Sequence, residues 1–240
     1  MSRRTVTVVP SADLARAVAG WIAARTVASI AEGGFCALAL SGGRTPRPVY
    51  EALATPPLNA TIDWACVDVY FADERAVPPD DPDSNYRMAF HALLGSVALL
   101  PGRIHRMPAE RLDRDAAAWE YERLLPPRLD VLVLGMGADG HTASLFPGSA
   151  ALAERERRVV PVTAPAPPTR RMTITPPVIA AARHVAVVVA GADKAAMVAR
   201  ALAAGADPAE VPAHLAAGAQ WFLDETAATL LAPGAGRADA

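Results

Sequence analysis

Three short segments hold residue types that could do chemistry together. The first is Ser41-Gly42-Gly43-Arg44-Thr45-Pro46. Its two glycines let backbone N–H groups come close to a ligand, and its two hydroxyls can donate. Pro46 is well placed to open a helix, whose first turn would add free N–H groups and a positive dipole end. These are the parts a phosphate oxyanion needs. A tight strand-to-helix turn with Thr45 as N-cap explains the same residues equally well. No Lys-Ser/Thr pair follows the glycines, so this is not a Walker A loop.

The second segment is Asp73-Glu74-Arg75. Arg75 could pair bidentately with a phosphate or carboxylate, and either acid could orient it or bind sugar hydroxyls. A solvated loop of mutually neutralising charges is the blander reading. Ser84 and Asn85 downstream are explained by a helix cap.

The third segment runs Gly135-Met136-Gly137-Ala138-Asp139-Gly140-His141. Its glycines match G-x-G-x-x-G, but a dinucleotide fingerprint belongs in the first strand-to-helix turn, with an acid about 20 residues on. Here it lies past the middle of the chain, and Glu154 and Glu156 sit in a charged stretch. Glycines around Asp139 and His141 permit a bent backbone that aims an imidazole into a cleft. Imidazole titrates near neutrality, so a histidine can deprotonate water while a carboxylate fixes its tautomer. The other histidines, His91, His105, His184 and His214, fit capping or core roles. No G-x-S-x-G elbow is present, and Ser144 falls in a predicted helix, which argues against a Ser–His–Asp hydrolase. Among the remaining cations, Arg170, Arg171 and Lys194 lie beside predicted strands. Lys194 at a helix start is slightly misplaced for the dipole, which mildly favours a role with an anion.

The elements that must carry these segments read as follows. Ser11 predicts an N-cap for a helix running to Gly33-Gly34. Short apolar runs predict buried strands over 35–40, 67–71, 130–134 and 185–190. Helices are expected from Pro46 through Leu53, over 85–94 with Ser84 as cap, over 113–125, and from 194 to about 203. The stretch 73–84 reads as a polar, Pro-rich loop and 164–169 as a surface loop. A short strand over 172–175, a short helix from Pro176, and a last strand or helix start at 221–223 with Asp224 as a cap complete the list. Strands alternating with helices predict a mostly parallel α/β sheet. Ligands of such sheets sit outside the carboxyl ends of the strands, so segments 41–46, 73–75 and 135–141 could converge.

The 240 residues suffice for one large domain, expected over 1–232 with a flexible tail over 233–240. With 52% hydrophobic and 20% charged residues the chain is not disordered in composition. No uninterrupted apolar run approaches the roughly 20 residues that span a bilayer. A net charge of -2 is unlike a general nucleic-acid binder, so an anionic ligand must be held by a few placed cations. Cys36 and Cys66 read as buried small hydrophobes in a reducing compartment, not as a disulfide or zinc pair. Pro10, Ser11 and Asp13 interrupt any signal-peptide core after Arg3 and Arg4. A cytoplasmic location is expected, with no nucleic-acid or membrane partner.

Together these segments resemble the glucosamine-6-phosphate isomerase/6-phosphogluconolactonase family. The matching stretches are Leu40 to Pro46, Asp73 to Pro78 with Asp83-Ser84-Asn85, and LGMGADGHTASLFPG over 134–148. Arg171-Met172-Thr173, Gly191 to Lys194 and Asp224-Glu225 match more weakly. All appear in the family's order and span nearly the whole chain, and the third stretch is highly specific. The resemblance implies a Rossmann-like, mostly parallel sheet flanked by helices, with extra strands. It also implies hydrolysis of 6-phospho-D-glucono-1,5-lactone, a step of the oxidative pentose phosphate pathway, with no cofactor and no metal, by a monomer or homodimer. It assigns phosphate binding to Ser41, Gly42, Gly43, Thr45, Arg75, Arg171 (in preference to Arg170) and Lys194. It makes His141 the general base, supported by Asp139. A deaminase or isomerase using Asp73 as a carbon base, and a non-catalytic sugar-phosphate sensor, are the other readings.

Overall fold

The computed structural model describes residues 5–232. The expected tail over 233–240, and Arg3 and Arg4, lie outside the described residues. The chain opens with β1 (Thr5–Val9), α1 (Leu14–Gly33), β2 (Cys36–Leu40), α2 (Pro46–Leu53) and the single turn α3 (Leu58–Thr61). It continues through β3 (Val67–Phe71), β4 (Asp73–Arg75), α4 (Asn85–Ala92), α5 (Arg114–Leu124) and β5 (Val131–Gly135). Then come β6 (Val159–Thr163), β7 (Arg170–Ile174), α6 (Pro176–Ala181), β8 (His184–Val189), α7 (Ala195–Ala201) and β9 (Gln220–Asp224).

Six strands form one parallel sheet in the order β1-β9-β8-β5-β2-β3. Parallel strands need helical crossovers on both faces, which is why the central strands are apolar on both sides. All five residues of β2 are buried. Between β2 and β3 on one side and β5 on the other, the chain changes direction of travel across the sheet. That is where a doubly wound sheet leaves a crevice at its carboxyl edge. A second sheet, β4-β7-β6, is antiparallel and lies beyond the end of β3.

The expected strands and helices are found within a few residues of their predicted bounds, and six expectations change. Strands β1 and β6 were not foreseen. Asp73–Arg75 is a strand, not a loop, because β7 offers it a ladder. Ser11 does not cap α1; Asp13 occupies the N-cap without a side-chain bond, and the Ser11 hydroxyl donates to Asp224 instead. Residues 142–145 form a turn, not a helix, with Ala143 in the left-handed region at φ 47°. Residues 192–194 make a 3₁₀ turn, and the helix after it is shorter than expected. Cys66 is neither in a strand nor fully buried; it ends a 3₁₀ turn beside Asp63, whereas Cys36 is buried as expected. Helix α1 has the length and mean hydropathy to cross a membrane, yet its stripe of Leu14, Val18, Ile22 and Ala23 is buried within the fold.

Two buried tyrosines fix the strand ends that matter. The Tyr50 hydroxyl, from α2, donates to the Ser41 carbonyl and accepts from the Ser41 N–H (2.8 and 3.0 Å). The Tyr121 hydroxyl, from α5, does the same for Phe71 (3.2 and 2.8 Å). Each satisfies a backbone pair at the point where a strand leaves the sheet. Tyr50→Phe keeps the ring and strands both polar groups of Ser41. We expect it to cost about 1–3 kcal/mol, the usual penalty for buried unsatisfied groups. The check is the urea unfolding midpoint; no change would show that this tie contributes nothing.

Candidate active site

Four segments follow four adjacent strands at one edge of the sheet: loop 41–45 after β2, Ala72 and strand β4 after β3, loop 136–141 after β5 and turn 190–194 after β8. They enclose a cavity of about 400 Å³. Ser41, Gly42, Gly43, Thr45, Arg75, His141, Arg171 and Lys194 all line it. Asp139 stands behind His141, outside that lining. Arg170 is exposed and absent from it, so of the two adjacent arginines on β7 only Arg171 faces inward, as strand alternation dictates.

The cradle loop has unspent donors. The N–H groups of Gly42, Gly43, Arg44 and Thr45 make no hydrogen bond among the described residues. Thr45 holds the N-cap position of α2, but its side chain makes no cap bond, so its hydroxyl stays available. Ser41 differs from expectation. Its hydroxyl donates to the Val133 carbonyl at 2.7 Å, tying β2 to β5, and leaves only lone pairs for a ligand. Gly42 is required by contact: a Cβ there would lie 1.7 Å from Asn85 Oδ1.

The cations are placed by β4 and β7. In the antiparallel register Arg75 lies directly opposite Arg171. Like charges across a ladder repel, and here no carboxylate forms an ion pair with either among the described residues. Arg171 donates from Nε to the Pro168 carbonyl at 2.9 Å, and its guanidinium stands 5.6 Å from the Phe146 ring centre. Burial lowers its pKa; Asp73 opposes that and Arg75 adds to it. Arg75 donates from Nη1 to the Asp83 carbonyl, and its Nε is buried without a partner. Lys194 is held 3.3 Å from the exposed Asp193. Asp224 fixes the turn before it by accepting from the Gly191 N–H at 3.1 Å.

The acids of the second segment are structural ties. Glu74 accepts from the N–H groups of Arg75, Asn85 and Tyr86 and from the Ser84 hydroxyl. Burial raises its carboxyl, and those backbone N–H groups work the other way. Asp73 accepts from Asn85 Nδ2 at 3.0 Å and from the Ser144 hydroxyl at 2.6 Å. Ser144 therefore serves Asp73 and makes no hydrogen bond to His141.

The base is built on the third loop. His141 Nδ1 lies 2.6 Å from Asp139 Oδ1. An ionised carboxylate only accepts, so in the neutral ring the proton sits on Nδ1 and the lone pair on Nε2. Burial pushes the Asp139 carboxyl up, and the hydrogen bond and charge of His141 outweigh it, holding it below the usual range. The ring rests on Phe146, 4.7 Å between centres. The backbone folds tightly beneath it, with the Gly137 N–H donating to the His141 carbonyl at 2.9 Å.

Arg44, Asn85 and Ala143 also line the cavity and carried no assignment from the sequence. Asn85 was masked by its neighbour Ser84, which does cap α4 through the Arg87 N–H. Arg44 lies inside the cradle motif itself. Among the described residues no three His, Cys, Asp or Glu side chains gather as metal ligands would.

Comparison with known proteins decides the family. A family model described as glucosamine-6-phosphate isomerases/6-phosphogluconolactonase matches residues 10–225. The chain belongs to this family. It is 40% identical to a 6-phosphogluconolactonase of Streptomyces coelicolor, covering 91% of this chain and 90% of that one. It is 38% identical to one of Mycobacterium tuberculosis, over 95% and 98%. The solved structure of 6-phosphogluconolactonase from Trypanosoma brucei superposes with a TM-score of 0.82 at 32% identity, covering 97% of this chain and all of that one (100%). A monomeric glucosamine-6-phosphate deaminase shares the fold, with a TM-score of 0.81 at 22% identity. The expected Rossmann-like, mostly parallel fold is therefore the family's own.

Gly137 gives a sharp test of the site. A Cβ there would lie 2.1 Å from His141 Nδ1 and 2.5 Å from Asp139 Oδ1. We expect Gly137→Ala to break the pair, seen as loss of the downfield Nδ1–H signal of His141 in proton NMR. Retention of that signal would show that the loop can absorb the methyl group.

Proposed function

We propose that this chain hydrolyses 6-phospho-D-glucono-1,5-lactone to 6-phosphogluconate, with His141 as general base. The observation that carries the reading is the Arg75–Arg171 pair. Two guanidinium groups without a carboxylate partner among the described residues lie opposite each other on a ladder and line a cavity that also holds the His141 imidazole. A phosphate dianion between them would turn repulsion into two charge-assisted contacts. The unspent N–H groups of the cradle loop, the Thr45 hydroxyl and Lys194 would complete its shell. Holding the phosphate there positions the far end of the sugar at His141.

The reaction then follows from the proton positions. Water attacks the lactone carbonyl at C1 while His141 Nε2 takes its proton. Asp139 holds the ring and offsets the imidazolium charge. The C1–O5 bond breaks, the imidazolium proton passes to O5, and the ring opens to a C5 hydroxyl and a carboxylic acid, which ionises. The N–H groups of Gly137, Gly140 and His141 are already spent within the loop. Among the described residues the Met136 N–H makes no hydrogen bond and Met136 lines the cavity, which favours it as oxyanion donor.

The alternative chemistry, proton abstraction from carbon by Asp73, has less support. Both Asp73 oxygens already accept hydrogen bonds. The relatives from Streptomyces coelicolor and Mycobacterium tuberculosis carry the lactonase name. The setting proposed is cytoplasmic, with a small sugar phosphate as the partner.

His141→Ala should lower kcat by roughly 10²–10⁴-fold, the usual loss on removing a general base, with 6-phosphogluconate affinity little changed. Near-normal turnover would remove His141 from the mechanism. Arg75→Ala should chiefly raise KM. An unchanged KM would take Arg75 out of the phosphate set.

A further inference from the structure

At the opposite edge of the sheet lies a second cavity, of about 470 Å³. It opens at the amino ends of β8 and β9, far along the strands from His141. Its cations are Arg25 and Arg183, beside the imidazole of His184, with no carboxylate among the lining residues. Trp21 of α1 forms one wall.

These cations are poorly compensated. Arg25 makes no ion pair among the described residues and stands 5.8 Å from the Trp21 ring centre. Arg183 pairs with Glu32, an exposed residue outside the cavity lining. His184 meets the edge of Trp21, with ring centres 6.3 Å apart. Burial holds the His184 imidazole below its ordinary range, and the charges of Arg25 and Arg183 add to that; Asp130 and Glu32 pull the other way without prevailing. The Gln220 amide is turned away, donating to the Thr7 hydroxyl and the Trp221 carbonyl. In a chain of net charge -2, this is a local basic cavity with one aromatic wall.

We propose that this cavity is a second binding site, for a phosphate monoester carrying a flat ring. Arg25 and Arg183 take the phosphate, as two planar forks suit an oxyanion, and the ring lies against Trp21. The site is separate from the catalytic cavity. Its ligand would not compete with substrate, because β8 runs from one cavity to the other and its length separates them.

The probe is phenyl phosphate, followed through the His184 ring signals by NMR at fixed pH, with His184→Gln supplying the assignment. The protein is first saturated with 6-phosphogluconate. The expected result is a saturable shift of the His184 signals, at lower concentration for phenyl phosphate than for inorganic phosphate. Arg25→Gln with Arg183→Gln should weaken it by about tenfold or more, since charge-assisted bonds are lost. Both arginines are exposed, so the double variant should fold, and its unfolding midpoint confirms this. No shift, an unchanged affinity in the double variant, or displacement by 6-phosphogluconate would each overturn the site. Equal affinity for phenyl phosphate and inorganic phosphate would overturn the role of Trp21. Because the readout involves no catalysis, its failure leaves the lactonase reading untouched.

Discussion

The site is organised around a repulsion. Arg75 and Arg171 face each other across a three-residue ladder, where like charges weaken pairing. Such an arrangement persists only if the surroundings impose it. Glu74 imposes it on one side, by gathering three backbone N–H groups and a hydroxyl so that β4 and the start of α4 cannot part. Asp73 imposes it on the other, holding Ser144 and Asn85. The buried acids beside the cavity thus work as scaffold, and the cations are left for a ligand.

The rest of the active edge depends on the parallel sheet. Four neighbouring strands end together, and their loops need no long reach to meet. Precision comes from backbone ties at those ends: Tyr50 on Ser41, Tyr121 on Phe71, Ser41 on Val133, Asp224 on Gly191. The phosphate cradle and the imidazole sit on adjacent strands, β2 and β5, at the point where the chain reverses its direction across the sheet. One dianion can therefore be offset locally although the whole chain is slightly acidic.

Much of this was legible in the residues. The apolar runs at β2, β3, β5 and β8 are buried on both faces, and such runs announce themselves. The loops after them carried the unusual residues. Most of what escaped had physical reasons. β6 holds Pro161 among its valines, which breaks the pattern, whereas β1 is five β-branched residues whose strand signal was overlooked. Asp73-Glu74-Arg75 is too polar to read as a strand; only the ladder from β7 makes it one. Ser11 had the right type for a cap, but Asp224, 213 residues away, draws its hydroxyl elsewhere. Ser144 was placed in a helix because nothing local signals the left-handed Ala143 before it. Asn85 and Ser41 show the limit for roles. A cap explained the Ser84-Asn85 pair, and no sequence shows that the Ser41 proton is already given to Val133.

The central claim is that phosphate recognition and water activation meet in one cavity. The direct measurement generates 6-phosphogluconolactone in situ from glucose 6-phosphate and its dehydrogenase. Its disappearance is followed by NMR with and without this protein. The account predicts clear acceleration over spontaneous hydrolysis, and none for unphosphorylated gluconolactone. No acceleration by folded protein, or equal acceleration of both lactones, would contradict it.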